Sequence, residues 1–379
     1  MNSVRNIIII VALLGVVTTI TVAAQERFRI MEYNVENLFD TIPNPLCDDS
    51  DFLPNSSRQW TSERYWAKQG RLARVIAAAG GDVPVELVGL VEVENDTVLK
   101  HLTQRTSLAR LGYDYIVTDG PDVRGIDVAL LYQPGRFRPI HREDLRVPQR
   151  EGQRPTRDVL YVEGVLPTFD TLTLFVAHFP SRRGGKRMTE KQRCSAAQVV
   201  RHKVDSIQRQ RPNALIVIMG DLNDEVYDKA LRQTLRVVSP EMDDVPKQMF
   251  SKAQQPLYDL PPMATDLPQV DGTYYYQGKW ERIDHLIVSA SLFHPESPLK
   301  CVSKNTQILT LPLLLEQESD AITPRFRPKR MYLGTHYHGG VSDHLPLVVE
   351  LKLCDLWVLR KESVKKDIIV MFLKTECVE

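Results

Sequence analysis

The sequence predicts a mixed α/β domain, and three observations carry that expectation. Short apolar runs of strand length recur along the chain and alternate with two longer segments of helical periodicity. Their connections mix hairpin-like turns with helical crossovers, which points to sheets of mixed direction. One apolar run after another ends in an acid, an amide or an imidazole, so that side chains distant in sequence converge at one rim of the sheets. The 379 residues, 43% hydrophobic and 25% charged, fit a soluble enzyme-sized protein and exclude a disordered or repeat chain. Lys+Arg 48 balance Asp+Glu 48, which argues against generic binding to duplex nucleic acid through phosphate neutralisation alone.

In chain order, Met1 to Ala24 comes first, with Arg5 ahead of the apolar run Ile7 to Val17 and Val22-Ala23-Ala24 at its end. It reads as a signal peptide cleaved near Ala24-Gln25, so the mature protein is expected to be periplasmic or secreted, with no membrane span. The five cysteines, Cys47, Cys194, Cys301, Cys354 and Cys377, are scattered and form no Cys-x-x-Cys pair, which disfavours a zinc-thiolate site. A first strand is expected over Phe28 to Asn34, followed by a polar loop containing Pro43, Pro45 and Pro54. Tyr65, Trp66, Leu72, Val75 and Ile76 recur at helical spacing from Ser62 to Ala79, and Gly80-Gly81 stops the run. Further strands are expected at residues 87–91, 113–117, 128–132, 159–162, 172–177, 215–219, 285–288 and 345–351. A helix is expected over about Lys186 to Gln208, with Ala196, Val199, Val200, Val204 and Ile207 on its apolar face, and a shorter one after Asp224. Pro240 to Tyr274 reads as a long surface excursion near the site. One domain from Gln25 to Leu353 accounts for these elements, and Cys354 to Glu379 forms a tail of unassigned role.

The polar groups at the strand ends are Asn34 and Glu36, Glu92, Asp127, His178, Asp221 and Asn223, Asp284 and His285, and Asp343 and His344. In Gly220-Asp221-Leu222-Asn223, the glycine permits a tight exit and Leu222 lets Asp221 and Asn223 project to one side. Asp284 is expected to pair with His344 across strands, orienting the imidazole and favouring its charged form, and Asp127 is expected to hold His178 in the same way. Glu92 and Glu94 would share a strand face, with Glu92 the preferred metal ligand because it comes first after the apolar run. Carboxylates from Glu36, Glu92 and Asp343 suit Mg²⁺ or Mn²⁺ better than zinc. Arg124 and Arg282 are candidate phosphate contacts, with Arg182, Arg183, Lys186 and Arg187 as further ones. The run Arg182-Arg-Gly-Gly-Lys186 is too irregular for a nucleotide-binding P-loop.

Taken in order, Tyr33-Asn-Val-Glu-Asn-Leu-Phe39, Leu90-Val-Glu-Val-Glu-Asn95, Ala177-His-Phe179, Gly220-Asp-Leu-Asn-Asp224, Arg282-Ile-Asp-His285 and Ser342-Asp-His-Leu-Pro346 resemble the endonuclease/exonuclease/phosphatase superfamily, the DNase I-like group. The resemblance spans about Phe28 to Leu353. It implies a four-layer α/β sandwich, two central mixed sheets flanked by helices, and divalent-metal-dependent cleavage of phosphate esters. By the same resemblance Asn34, Asp221 and Asn223 position water and phosphate, Glu92 holds metal with Glu36 and Asp343, and His178 with Asp127 binds or protonates a phosphoryl oxygen. His344 with Asp284 forms the other acid/base or phosphate-clamping pair. Asn95, the Tyr274-Tyr275-Tyr276 run and Trp280 read as supports or walls of the pocket. The expected activity is an exported phosphodiesterase or nuclease in which Asp221 orients or deprotonates the attacking water. A phosphomonoesterase on a sugar, inositol or lipid headgroup, and a noncatalytic binding protein on the same fold, are the alternatives.

Overall fold

The computed structural model describes residues 26–149, 152–239, 255–318 and 325–354. The expected signal peptide, Met1 to Ala24, and the tail beyond Cys354 lie outside the described residues. The strands are β1 (Glu26–Leu38), β2 (Leu87–Val93), β3 (Asp114–Val117), β4 (Asp127–Tyr132), β5 (Arg138–Leu145), β6 (Val159–Val165), β7 (Thr171–Val176), β8 (Leu215–Asp221), β9 (Val237–Val238), β10 (Leu257–Asp259), β11 (Tyr274–Tyr276), β12 (Lys279–Glu281), β13 (Asp284–Ser289), β14 (Leu299–Ile308), β15 (Leu315–Gln317), β16 (Phe326–Pro328), β17 (Tyr332–Leu333), β18 (His336–Tyr337) and β19 (Leu347–Leu353). The α-helices are α1 (Ser62–Gly80), α2 (Asp96–Gln104) and α3 (Lys186–Gln210).

Two large sheets form the middle of the molecule, one in the order β14-β19-β1-β2-β4-β3 and the other β5-β6-β7-β8-β13-β10-β9. Both are mixed: β1 runs parallel to β2, and β7 parallel to β8, among otherwise mostly antiparallel neighbours. The two-residue period of a strand sorts the second sheet into two faces. Leu172, Leu174, Val176, Val217 and Met219 point inward to a core shared with Phe28, Ile30, Leu90 and the α1 residues Leu72, Val75 and Ile76. Phe175, Ala177, Ile216 and Ile218 point outward, onto Ala196, Ala197, Val200 and Val204 of α3. The result is the four-layer α/β sandwich expected from the resemblance, helices outside and two sheets within.

Side-chain caps start α1 and α2. Thr61 caps α1 by accepting from Arg64 N, and Gly81 ends it at φ 65°. Asn95 caps α2 by accepting from Val98 N at 3.0 Å and also donates to Asp40 at 3.3 Å, so it is a structural cap rather than a wall of the pocket. The shorter helix expected after Asp224 is a π-helix over Ala230–Leu235. The expected surface excursion is corrected in part. Residues 240–254 lie outside the described set, but Leu257 and Tyr258 are buried in β10, paired with β13, because they are apolar and meet an open sheet edge there. The four described cysteines are all free. Among the described residues no helix is long and apolar enough to cross a membrane.

What positions the site is irregular pairing at two neighbouring strand ends and a close backbone approach at a third. The β1–β2 register shifts between Asn34 and Leu38, where Glu36 and Asn37 take φ of 50° and 54°. Opposite, the β2–β4 register shifts between Val91 and Val93, with Glu92 at φ 68°. Such bulges re-aim side chains at a cost of order 1–3 kcal/mol per strained residue and cluster at functional sites. The third is Gly220 in β8, at φ 139°, where an added Cβ would lie 1.8 Å from the Ala177 carbonyl oxygen. Only glycine fits there, and this close approach brings the strand ends carrying His178 and Asp221 together.

Candidate active site

Asp221 is the hub. Its Oδ2 accepts from Asn34 Nδ2 at 3.1 Å and lies 3.6 Å from His178 Nε2 and 3.8 Å from His344 Nε2. Its Oδ1 accepts from Asn223 N at 2.9 Å. Asn34 is thereby consumed in orientation: its Oδ1 accepts from Glu36 N at 2.9 Å, fixing the β1 bulge while its amide aims the carboxylate. Asn223, at φ 52°, donates its amide to the Phe179 carbonyl at 3.1 Å and so ties the Asp221 loop to the His178 strand end.

His344 stands against Asp284 as the sequence predicts, Nδ1 to Oδ2 at 2.8 Å and to Oδ1 at 3.1 Å. Ser342 holds the loop in place, its Oγ donating to the Asn34 carbonyl at 2.6 Å and accepting from His344 N at 3.0 Å. Burial disfavours the imidazolium, but Asp284, Asp221 and Asp343 outweigh it and hold His344 well above the ordinary histidine range. Burial and the neighbouring Asp284 push the Asp221 carboxyl up to about 7, against the opposing pull of His344. His285, the neighbour of Asp284, points the other way, to Asp259 Oδ1 at 3.0 Å and the Asp224 carbonyl at 2.9 Å, as adjacent strand residues must.

The expected Asp127–His178 pair does not form. Asp127 Oδ1 is taken by Thr118 Oγ1 at 2.5 Å and Gly120 N at 2.9 Å, so its carboxylate is spent organising the 118–127 loop. His178 Nδ1 is buried without a partner, and its Nε2 faces Asp221 and, at 4.0 Å, Glu92 Oε1. Burial, then Arg157 and Arg124, pushes His178 well below the ordinary histidine range, so its ring is neutral. Arg282 is a second correction: its guanidinium pairs with Asp271 at the surface, outside the cleft lining. Arg124 does line the cleft, donating to Asn37 Oδ1 at 3.4 Å.

Three further carboxylates line the same cleft. Glu36 accepts from Met331 N at 2.7 Å, Asp343 from Arg330 Nη2 at 2.6 Å, and Glu92 from Asn37 N at 2.8 Å. The buried Lys68 ammonium, bonded to the Glu36 and Val341 carbonyls at 2.8 and 3.1 Å, feels the charge of all three. Burial first, and then the charge of Asp343, pushes Glu36 up to about 8, against the opposing pull of Lys68 and Arg330. An all-carboxylate donor set suits a hard divalent cation such as Mg²⁺ or Mn²⁺. Glu36, Glu92 and Asp343 have the donor chemistry for the metal role expected of them, and all three line the cleft. Among the described residues the group whose ligand atoms all lie within 4.8 Å of one another is a different one, Asp221, Asp284 and His344, in which His344 Nδ1 is already committed to Asp284. Glu94 is excluded from both: the positive φ at Glu92 ends the alternation, and Glu94 turns away to accept from Asp40 N at 2.7 Å.

Glu32 and Arg157 escaped the sequence reading. Both Glu32 carboxyl oxygens are buried without a partner behind Asp284 and Asp221, and burial followed by those two charges raises the group well above the usual carboxylate range. Its signal was an acid inside the apolar run Phe28 to Tyr33. Arg157, buried and 3.1 Å from Asp122, donates to the Phe179 carbonyl beside His178, and had no strand-end position to give it away.

Glu36, Glu92, His178, Asp221, Asp343 and His344 line a cleft of about 1350 Å³ that also exposes Arg154, Arg183 and Lys186. The Endonuclease/Exonuclease/phosphatase family model matches residues 29–353. No curated protein matches the chain. Among solved structures, an endonuclease/exonuclease/phosphatase family protein from Bacteroides thetaiotaomicron shares 18% identity at a TM-score of 0.50, covering 87% of this chain and 96% of its own. A mannosyl-6-phosphatase from Bacteroides thetaiotaomicron VPI-5482 shares 18% at 0.51, covering 86% and 99%. A humanized D. rerio TDP2 shares 14% at 0.52, covering 86% and 98%. Each of these likenesses is one of fold, and together with the family match over most of its length they place the two-sheet sandwich: the chain belongs to the endonuclease/exonuclease/phosphatase family, with its DNase I-like fold.

Proposed function

We propose that the protein is a divalent-cation-dependent phosphodiesterase that hydrolyses a P–O bond by in-line attack of water, and that it is exported. The single observation that carries the catalytic reading is the convergence of Asn34, His178 and His344 on one oxygen of a buried carboxylate, Asp221 Oδ2. Export rests on the N-terminal segment alone.

Glu36, Glu92 and Asp343 would hold the divalent cation, which would supply positive charge to offset that of the phosphate. The chain's own groups do the rest. Asp221, raised to about 7, is matched to take a proton from water near neutral pH. Asn34 fixes its direction. His344 carries a proton on each ring nitrogen; Nδ1 gives its hydrogen to Asp284, leaving Nε2–H to bond a phosphoryl oxygen. The neutral His178 presents Nε2 on the same side. In-line displacement expels the leaving alcohol on the face opposite the attacking water. His344, 3.8 Å from the base, is therefore a clamp on the phosphoryl group and not the acid for the leaving oxygen, which takes its proton from solvent. The arginines along the cleft extend the anionic contact beyond one phosphate, which favours a diester over a small monoester.

The deciding experiment is hydrolysis of a phosphoester panel with Mg²⁺ or Mn²⁺ and with chelator, scored separately for DNA, RNA, lipid headgroups and sugar monoesters. Chelator-sensitive cleavage of diesters is expected. Cleavage confined to monoesters transfers the assignment to a phosphomonoesterase, and no turnover together with no metal binding at millimolar concentration leaves a binding protein on this fold.

The electrostatics give a directional expectation for Asp284→Asn. Removing that charge eases ionisation of Asp221, so the acid limb of the kcat/KM profile moves to lower pH. The same change withdraws the anion that keeps His344 protonated, so the basic limb also moves to lower pH. The whole bell is expected to shift acidward; limbs that stay fixed or move apart would remove the coupled Asp221–Asp284–His344 arrangement from the mechanism.

A further inference from the structure

The β11–β12 hairpin, Tyr274–Tyr276 against Lys279–Glu281, is not accounted for by any step above, yet it stands over the centre. Its two-residue turn, Gln277 and Gly278 at φ 47° and 81°, is the tight left-handed kind that matches strand twist and fixes register. Register in turn sorts the rings: Tyr275 packs on Trp280 on one face, at 5.1 Å between centroids, while Tyr274 and Tyr276 share the other. Tyr274 bridges to His344 through the backbone, and its ring lies 4.6 Å from the imidazole, inclined 31°. Tyr276 follows at 6.2 Å from Tyr274, the two planes within 12° of parallel. A row of rings thus leads from the catalytic imidazole to the mouth of the cleft, and Tyr276 at its outer end is 54% exposed. A large aromatic left in water beside a cleft, held by a rigid hairpin and backed by a parallel ring, is a ready stacking surface.

Resting on the phosphodiesterase reading, we propose that the Tyr274–Tyr276 face is a subsite that stacks a nucleobase attached next to the scissile phosphate, so that the preferred substrates are single-stranded nucleotidyl diesters. The polar groups around it favour a base over a sugar ring. A pyranose needs several hydrogen-bond partners for its hydroxyls, but Arg182 and Glu281 are bonded to each other, and Gln277 Nε2 is turned onto the Tyr276 hydroxyl at 3.4 Å. A π-face asks for no such partners, and stacking tolerates any base. The cationic cleft beside the hairpin takes the backbone.

The test compares oligothymidylate with an oligomer of the same length and phosphates built from abasic tetrahydrofuran units. Binding to each is measured by anisotropy in chelator, so that the readout does not depend on turnover, and cleavage is measured separately with Mg²⁺. Tyr276→Ala, at a position exposed enough to leave the fold intact, is expected to weaken oligothymidylate binding roughly tenfold, the range of one aromatic–base stack, and to leave the abasic oligomer unchanged. Tyr276→Phe is expected to restore binding, which a role for the hydroxyl would not permit. Equal loss on both oligomers, or no loss on either, overturns the stacking subsite even if diesters are cleaved. Absence of any chelator-sensitive cleavage overturns the phosphodiesterase reading instead. Tighter binding of a sugar phosphate than of a nucleotide assigns the platform to a sugar and overturns the proposal.

Discussion

Asp221→Asn is expected to lower kcat by roughly 10²–10⁴-fold, the range of a lost general base, while leaving thermal stability unchanged or higher. The catalytic half follows from position: one carboxylate oxygen faces Asn34, His178 and His344, and the asparagine that replaces it cannot accept the proton of water. The stability half follows from energetics. Burial and Asp284 push the Asp221 carboxyl up to about 7, which means the folded protein disfavours its charged form. A neutral amide of the same shape relieves that repulsion and still accepts from Asn223 N, which offsets the contact from Asn34 that its Nδ2 gives up. Trading activity for stability in this way is the behaviour of groups held for chemistry. Steady-state kinetics and a melting curve on the same preparation check both halves; wild-type turnover in Asp221→Asn would dismiss Asp221 as the base.

Glu92→Gln is expected to weaken Mg²⁺ and Mn²⁺ binding by more than the roughly 10–100-fold that loss of a supporting outer group costs, because it removes a direct donor. The amide keeps the contact with Asn37 N and so preserves the bulge, isolating charge from shape. Titration calorimetry of the cation into both proteins reads the change. Unaltered affinity would move the cation away from the Glu36, Glu92 and Asp343 group.

The sheet strands with long apolar runs were legible because burial on both faces leaves a continuous hydrophobic signature, as in β2, β4, β7 and β8. β5 was not, since most of Arg138–Leu145 is exposed and carries charge, and neither were the two- and three-residue strands, which have no period to read. α2 was hidden by its nine-residue length, although Asn95 stood at its cap. At the site, Asp284 and His344 were legible as ends of apolar strands that could face one another. Asp127 and His178 carried the same signal yet failed to pair, because Thr118 and Gly120, within the loop of Asp127 itself, claim the carboxylate first. Strand-end position gives proximity to the rim; which donor reaches which acceptor depends on loop geometry that spacing does not encode. The exclusion of Glu94 shows the same limit, since one residue at positive φ reverses an expectation built on alternation.

The most direct measurement is the location of Mn²⁺ by anomalous scattering in crystals grown with Mn²⁺ and inorganic phosphate. The expected result is a cation within bonding distance of Glu36, Glu92 and Asp343, with phosphate oxygens touching His178 and His344 and Asp221 facing phosphorus from the side of the attacking water. A cation bound between Asp221, Asp284 and His344, or a phosphate seated away from both histidines, would contradict the division of this rim into a metal-holding group and a water-activating one.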